Sequence, residues 1–284
     1  MMADDQRYSP AWSPPSPSLR LHRDIWHPET LREVSYPTDG NDAYAPIEET
    51  SYWFKHRNSI LLAAFANYPP AGDIYDIGGG NGIISSFLQQ HGFGVVLVEP
   101  GTGAMKARQR GVQRIVRSTL EDANFLPSSI TSAGAFDVLE HTADDVAFID
   151  VVRELLQPGG RFYVTVPALG SLWSGEDVAA GHYRRYSPRT LARAMRQGGL
   201  EVEFVSYFFS WLIGPIFLMR TLPFRLSLNT VRRMTSHQIH AAHSLPAWLY
   251  PVVERAHRWE EKRIRDGRRI PTGTSLLCVA RRTA

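Results

Sequence analysis

Residues 73–82 read DIYDIGGGNG, an apolar run and an acid followed by four glycines in five positions. Glycine loses more conformational freedom on folding than any other residue, so such a cluster marks backbone that turns sharply or lies close against a ligand. Two ligand chemistries suit it. The G-x-G-x-x-G pattern after a strand cradles a pyrophosphate, and Gly80, Gly82 and Ser85 approach that spacing but end in serine. The alternative, D-x-G-x-G-x-G, is met by Asp76, Gly78, Gly80 and Gly82, with Gly79 inside it. This pattern lets backbone pass over an adenosine and an amino-acid moiety. Glu99 suits either ligand, because a carboxylate at the end of the next apolar run can accept both ribose hydroxyls.

Two further stretches carry reactive side chains. His141 stands just beyond Asp137, where it is a general base or a group that caps and packs the following helix. In GEDVAAGHYRRYS, Asp177, His182, Tyr183, Arg184, Arg185 and Tyr186 fall within ten residues. A His–Asp pair there would activate a hydroxyl, and Arg184 or Arg185 would hold a carboxylate or phosphate bidentately. The competing reading is a salt-bridged lid hinge. No metal is expected: His141, Asp177 and His182 could converge, but no metal-ligand spacing motif supports a site. In SYWFKHRN (51–58), the rings and Arg57 would cap a cofactor entrance, or pack in the core.

The elements that must position these groups alternate. Short apolar runs at 74–77, 95–98, 114–116, 132–136 and 161–166 predict strands, with helices between them at 85–90 and 145–156 and a turn at 158–160. This β-α-β alternation implies a parallel sheet with helices on both faces and a ligand at the carboxyl ends of its strands. A helix at 188–197 and strands at 200–206 and 275–280 follow, the last two separated by about seventy residues, far more than a hairpin needs. The first 44 residues, with SPAWSPPSPS as their extreme, read as a flexible arm with a short ordered piece around 31–34. A formal charge of +3 over 284 residues leaves no basic track for nucleic acid. Cys278 is the only cysteine, so a disulfide or a thiolate-rich metal site within the chain is excluded. The start, MMADDQRYSP, lacks a signal-peptide pattern, and a cytoplasmic location is expected.

Taken together, these stretches resemble the class I S-adenosylmethionine-dependent methyltransferases. YDIGGGNG is similar to the first motif of that family and VVLVEPG to its second-strand acid. STLEDANFLP resembles the adenine-contacting loop, GAFDVLEHTADD the segment after the fourth strand, and LLQPGGRFYVTVP the turn and fifth strand. SYWFKHRN, LWSGEDVAAGHYRRYS and IPTGTSLLCVARR resemble a bacterial subgroup acting on small molecules or lipids. The resemblance implies an α/β, Rossmann-like seven-stranded mixed sheet of order 3-2-1-4-5-7-6, with helices on both faces and a helical insertion before the last strand. It places residues 45–206 and 272–284 in the cofactor-binding core and 207–271 in an insertion that forms the acceptor pocket.

Carried over residue by residue, Asp76, Gly78, Gly79, Gly80 and Gly82 would surround the methionine part of S-adenosylmethionine. Glu99 with Pro100 would hold the ribose, and Thr119 and Leu120 the adenine. An acid is frequent at the position of Thr119, so Glu121 or Asp122 would substitute there. Phe136, Asp137 and Arg57 would face the reacting end. His141, Asp177 and His182 would be catalytic, and Trp173, Tyr183, Arg184, Arg185 and Tyr186 would line the acceptor site. The implied reaction is methylation of a small or lipid-like metabolite, at oxygen or nitrogen rather than carbon. Two rivals stand beside it: an NAD-dependent oxidoreductase, and a non-catalytic binding or scaffold protein that keeps the fold. The run at 204–219 has no charge for sixteen residues and is followed by Arg220, Arg225, Arg232 and Arg233. It is too short and too broken at Gly214-Pro215 to span a bilayer, which takes about 20 residues. It reads as a lid over an apolar acceptor, a homodimer interface or a peripheral membrane contact.

Overall fold

The computed structural model describes residues 12–29, 47–48, 50–227 and 246–283. The ordered piece expected around 31–34 and the arginines at 232 and 233 lie outside them. The strands are β1 (Leu19–His22), β2 (Ile25–Pro28), β3 (Ile74–Ile77), β4 (Val95–Val98), β5 (Ile115–Val116), β6 (Ile130–Phe136), β7 (Leu156–Pro167), β8 (Glu201–Phe208) and β9 (Ser275–Arg281). The helices are α1 (Tyr52–Phe65), α2 (Ile83–Gln90), α3 (Gly103–Gln109), α4 (Leu120–Ala123), α5 (Asp145–Leu155), α6 (Gly175–Ala180), α7 (Pro188–Gln197), α8 (Ile213–Ile216), α9 (Leu222–Arg225) and α10 (Tyr250–Arg265).

Among the described residues, nine strands join one sheet, in the order β1-β2-β5-β4-β3-β6-β7-β9-β8. Strands β3 and β4 are buried at every position, as strands covered on both faces must be. One apolar layer, including Val96, Val98, Ala135, Val164 and Leu191, fills one face. Another, including Ile60, Leu88, Tyr163, Phe208 and Val279, fills the other. The β3, β4, β5, β6 and β7 pairings are parallel, whereas β9 runs antiparallel between β7 and β8.

From β5 to β8 this is the expected 3-2-1-4-5-7-6 arrangement. The count of seven is corrected to nine, because β1 and β2 form a hairpin that extends the β5 edge. The hairpin lies within the stretch read as a flexible arm. Its two-residue turn uses Arg23 (φ 48°) and Asp24 (φ 61°), without the glycine or asparagine that advertises such turns. Trp26 anchors it: its carbonyl accepts from Arg117 N at 2.7 Å, and its ring meets Trp12 edge-on at 6.5 Å. The turn expected at 158–160 lies inside β7, where Gly159 N donates to Arg282 O at 2.8 Å.

Local signals explain the helices that frame the site. Ser51 caps α1 by accepting from Trp53 N, and α7 starts on a Ser187/Thr190 capping box with Pro188 in its first turn. After β8 the apolar run breaks into short turns: Phe209 is left-handed, α8 lasts four residues, and Phe217–Thr221 winds as a wider π-turn. Among the described residues, no helix is long and apolar enough to cross a membrane.

Candidate active site

The glycine loop leaves the carboxyl end of β3. Gly78 (φ 69°), Gly80 (φ 54°) and Gly82 (φ 72°) are all left-handed, which accounts for their spacing of two. A side chain at Gly82 would meet Ala107 on α3 at 2.5 Å. Asp76 is fully buried and accepts from Ser85 Oγ on α2 at 2.6 Å, so it braces the loop from beneath. Burial pushes its pKa up to about 6, with the Ser85 hydrogen bond opposing. Glu99, at the end of β4, is buried and spans the loop mouth. Its carboxylate takes Gly80 N at 2.9 Å and Gly101 N at 2.7 Å, and burial raises its pKa. A bound ribose would compete with these two amides for the same oxygens. From below, Glu48 receives Asn81 Nδ2 at 3.1 Å and pairs with Arg110 at 2.6 Å, a brace that sequence reading missed.

Arg57 projects from α1 to Asp137 at 2.7 Å. The guanidinium also lies 4.9 Å from the Trp53 ring centre and 5.2 Å from that of Phe54. Asp137 has φ 59°, a conformation that costs a non-glycine residue about 1–2 kcal/mol. This strain sits at the end of β6, beside the glycine loop: a side chain at Gly78 would come within 3.1 Å of Val138. Phe136 is buried in the apolar layer beneath. Thr119 caps α4 by accepting from Asp122 N at 3.1 Å. Leu120 is buried beside it and Glu121 is exposed. Pro100 follows Glu99 at the rim of the loop, half-buried.

Beyond Asp137 the chain turns through Leu139–His141 and is met by the segment after β7. Tyr183 N donates to Glu140 O at 2.7 Å, joining the two. Asp177 is 1% exposed and organises the second segment. It accepts from Ser174 N (2.9 Å), Arg185 Nε (2.7 Å) and His182 Nδ1 (3.0 Å). Burial opposes its charge, but His182 and Arg185 outweigh that and hold its pKa at about 2. An ionised Asp177 requires the His182 proton on Nδ1, leaving Nε2 as the electron-pair nitrogen. The His182 ring stands edge-on to His141, 4.7 Å between centres. Burial, then the neighbouring His182, pushes the His141 pKa down to about 4. The two imidazoles thus meet just past the end of β6.

The acceptor-side candidates divide. Arg185 is committed to Asp177 and to Ala168 O, and Arg184 to Asp145. Tyr186 is 2% exposed and donates to Asp145 Oδ2 at 2.7 Å. These three hold the segment in place. Tyr183 is 59% exposed and Trp173 half-buried, which leaves both accessible to an incoming molecule. Sequence reading overlooked Glu140, 1% exposed and beside His141. Its signal was available: a carboxylate adjoining an imidazole just past a strand end.

A Rossmann-like sheet with a glycine loop, a facing acid and a polar cluster at the same strand ends defines a nucleoside-cofactor enzyme fold. The chain belongs to the methyltransferase-domain family, whose model matches residues 52–204. Its cofactor is S-adenosylmethionine. A protein of Mycolicibacterium smegmatis, named "Probable S-adenosylmethionine-dependent methyltransferase", is 24% identical over 181 residues, 62% of this chain and 70% of that protein. A ubiquinone biosynthesis O-methyltransferase of Xanthomonas euvesicatoria is 28% identical over 153 residues, 47% of this chain and 64% of that one. In fold, the chain is similar to phosphoethanolamine N-methyltransferase 2 of Haemonchus contortus (TM-score 0.53, 16% identity, 91% of this chain and 62% of that one). The oxidoreductase alternative is set aside.

Proposed function

We propose that this protein transfers the methyl group of S-adenosylmethionine to an oxygen or nitrogen of a small or lipid-like metabolite. The observation that carries the reading is the meeting of His141 and His182 just past the end of β6, with Asp177 bonded to His182 Nδ1. The sulfonium brings its own electrophile, so the protein's task is to align the acceptor and drain its proton. An attacking hydroxyl or amine sheds a proton, and the two imidazole nitrogens are there to draw it off, directly or through an ion they hold. Asp76, Gly78, Gly79, Gly80 and Gly82 would hold the cofactor's amino-acid part, Glu99 its ribose, and Arg57 its carboxylate in exchange for Asp137. The relative named as an O-methyltransferase supports oxygen, and the fold neighbour named as an N-methyltransferase keeps nitrogen open.

The test is calorimetric titration with S-adenosylhomocysteine, followed by a screen of phenolic, carboxylate and amine acceptors with labelled S-adenosylmethionine. Binding should be lost in Gly80→Arg and kept in His182→Ala, while turnover of any acceptor falls at least 100-fold in His182→Ala. Full turnover after His141, Asp177 and His182 are all replaced by alanine would overturn the proton-draining role of that cluster, and cofactor binding with no turnover of any acceptor by the wild type would favour the scaffold reading.

A further inference from the structure

We propose that Glu140, His141 and His182 bind a divalent transition-metal cation, best matched by zinc, whose open position faces the acceptor. The ligand atoms of these three side chains all lie within 4.8 Å of one another. A central ion holds nitrogen and oxygen ligands at about 2.0–2.2 Å, so the observed cluster needs only small side-chain rotations to close on one.

Two independent features favour an ion over a polar knot, and a third reinforces the second. Glu140 is 1% exposed, yet its Oε2 has no hydrogen-bond partner. Buried carboxylate oxygens are almost always paired, and one left alone is costly. Protonated, that oxygen could donate to a neighbouring imidazole; ionised, it lacks the partner that an ion would supply. Second, Asp177 fixes His182 with Nδ1 protonated, so that Nε2 keeps its lone pair for the cluster. A carboxylate behind a histidine is the usual support for a metal-bound imidazole. Third, Asp177 is itself locked by Ser174 and Arg185, so this support is rigid.

The donor set selects the ion. Two imidazoles and one carboxylate suit zinc and its first-row neighbours, whereas magnesium and calcium prefer oxygen ligands. Three protein ligands leave room for a fourth group, as in catalytic rather than structural sites. The role of that position rests on the methyl-transfer reading, although binding of the ion does not. There an acceptor hydroxyl would ligate the ion and lose its proton to solvent. Its oxygen then forms the bond to the methyl carbon, the S–C bonding pair stays on sulfur, and the neutral thioether leaves. The inference therefore narrows the acceptor to one with a ligating oxygen.

The experiment uses the untagged full chain, stripped with chelator and titrated with Co2+ by visible absorption and with Zn2+ by calorimetry. One ion per chain is expected, with Co2+ bands that zinc displaces. Glu140→Gln and His182→Ala should each weaken binding at least 30-fold, and Asp177→Asn roughly 10-fold or more. Circular dichroism and S-adenosylhomocysteine titration of each variant show whether it is folded. Absence of stoichiometric binding to the wild type overturns the proposal, as does unchanged affinity in a folded His141→Ala/His182→Ala variant. Failure to bind S-adenosylhomocysteine would instead strike at the methyl-transfer reading, leaving the Co2+ result to judge the ion.

Discussion

Asp76 shows how a single side chain in the glycine loop can matter without facing the ligand. It is fully buried, with Oδ2 bonded to Ser85 and a pKa near 6. A carboxyl whose folded pKa is raised stabilises the fold below its ordinary value, and that contribution is lost as pH rises through the raised one. Ionised Asp76 is therefore a liability at neutral pH, by roughly 3 kcal/mol from the size of the shift. Asp76→Asn keeps an oxygen for Ser85 and removes the ionisation. In urea unfolding, the variant's stability relative to wild type should improve between pH 4.5 and pH 7. A constant difference across that range would show that Asp76 stays neutral or is already compensated. The sequence pointed to Asp76, Glu99 and the three left-handed glycines because their chemistry is local. It could not reveal the Arg57–Asp137 pair, which joins residues 80 apart, or Glu140, whose importance comes from what surrounds it.

At the scale of elements, α10 is fastened to α1 by a buried ion pair. Glu260 and His56 are both fully buried at the side chain and lie 2.8 Å apart. The same carboxylate takes Phe209 N, Ser210 N and Ser210 Oγ, pinning the turn after β8. Burial opposes charge on both partners. Their mutual hydrogen bond and attraction outweigh it, raising the His56 pKa and lowering that of Glu260. The pair contributes most between the lowered Glu260 value and the raised His56 value, fading as acid protonates Glu260 and as alkali neutralises His56. Glu260→Gln should cost about 3 kcal/mol at neutral pH by urea unfolding, and less at pH 3. It should also weaken S-adenosylhomocysteine binding, because α1 carries Arg57 next to His56. Loss of stability with unchanged cofactor affinity would separate the two helices' roles. Sequence alone gives no sign of this pair, since Glu260 looks like any other surface acid until its partners arrive from α1 and the turn after β8.

For the whole molecule, strand order followed from alternation and resemblance, while the β1–β2 extension did not: proline-rich composition hid a hairpin held by Trp26. The apolar run after β8 was read as lid, dimer surface or membrane contact. Just past it, Thr221 Oγ donates to Leu172 O at 3.0 Å and Arg220 pairs with Glu176, tying this stretch to the segment that carries Asp177. Leu218 and Met219 on the same stretch face outward, 62% and 75% exposed. The insertion leaves and re-enters the sheet at one narrow point. Thr274 N donates to Phe209 O, and a side chain at Gly273 would overlap the Phe208 carbonyl. Gly273→Ala should lower stability by about 2–3 kcal/mol in thermal or urea unfolding, because packed backbone cannot yield. Gly267→Ala, at φ 71° with open space around it, should cost only about 1–2 kcal/mol.

That pinched neck has an evolutionary consequence. Because the chain ends meet where the insertion begins and stops, the stretch between them can lengthen, shorten or be replaced at little cost in loop entropy. The core around the glycine loop and the stretch between β8 and β9 can then diverge at different speeds. A lineage, or a protein engineer, can vary that stretch as one continuous cassette so long as Glu260 and its hold on α1 are kept.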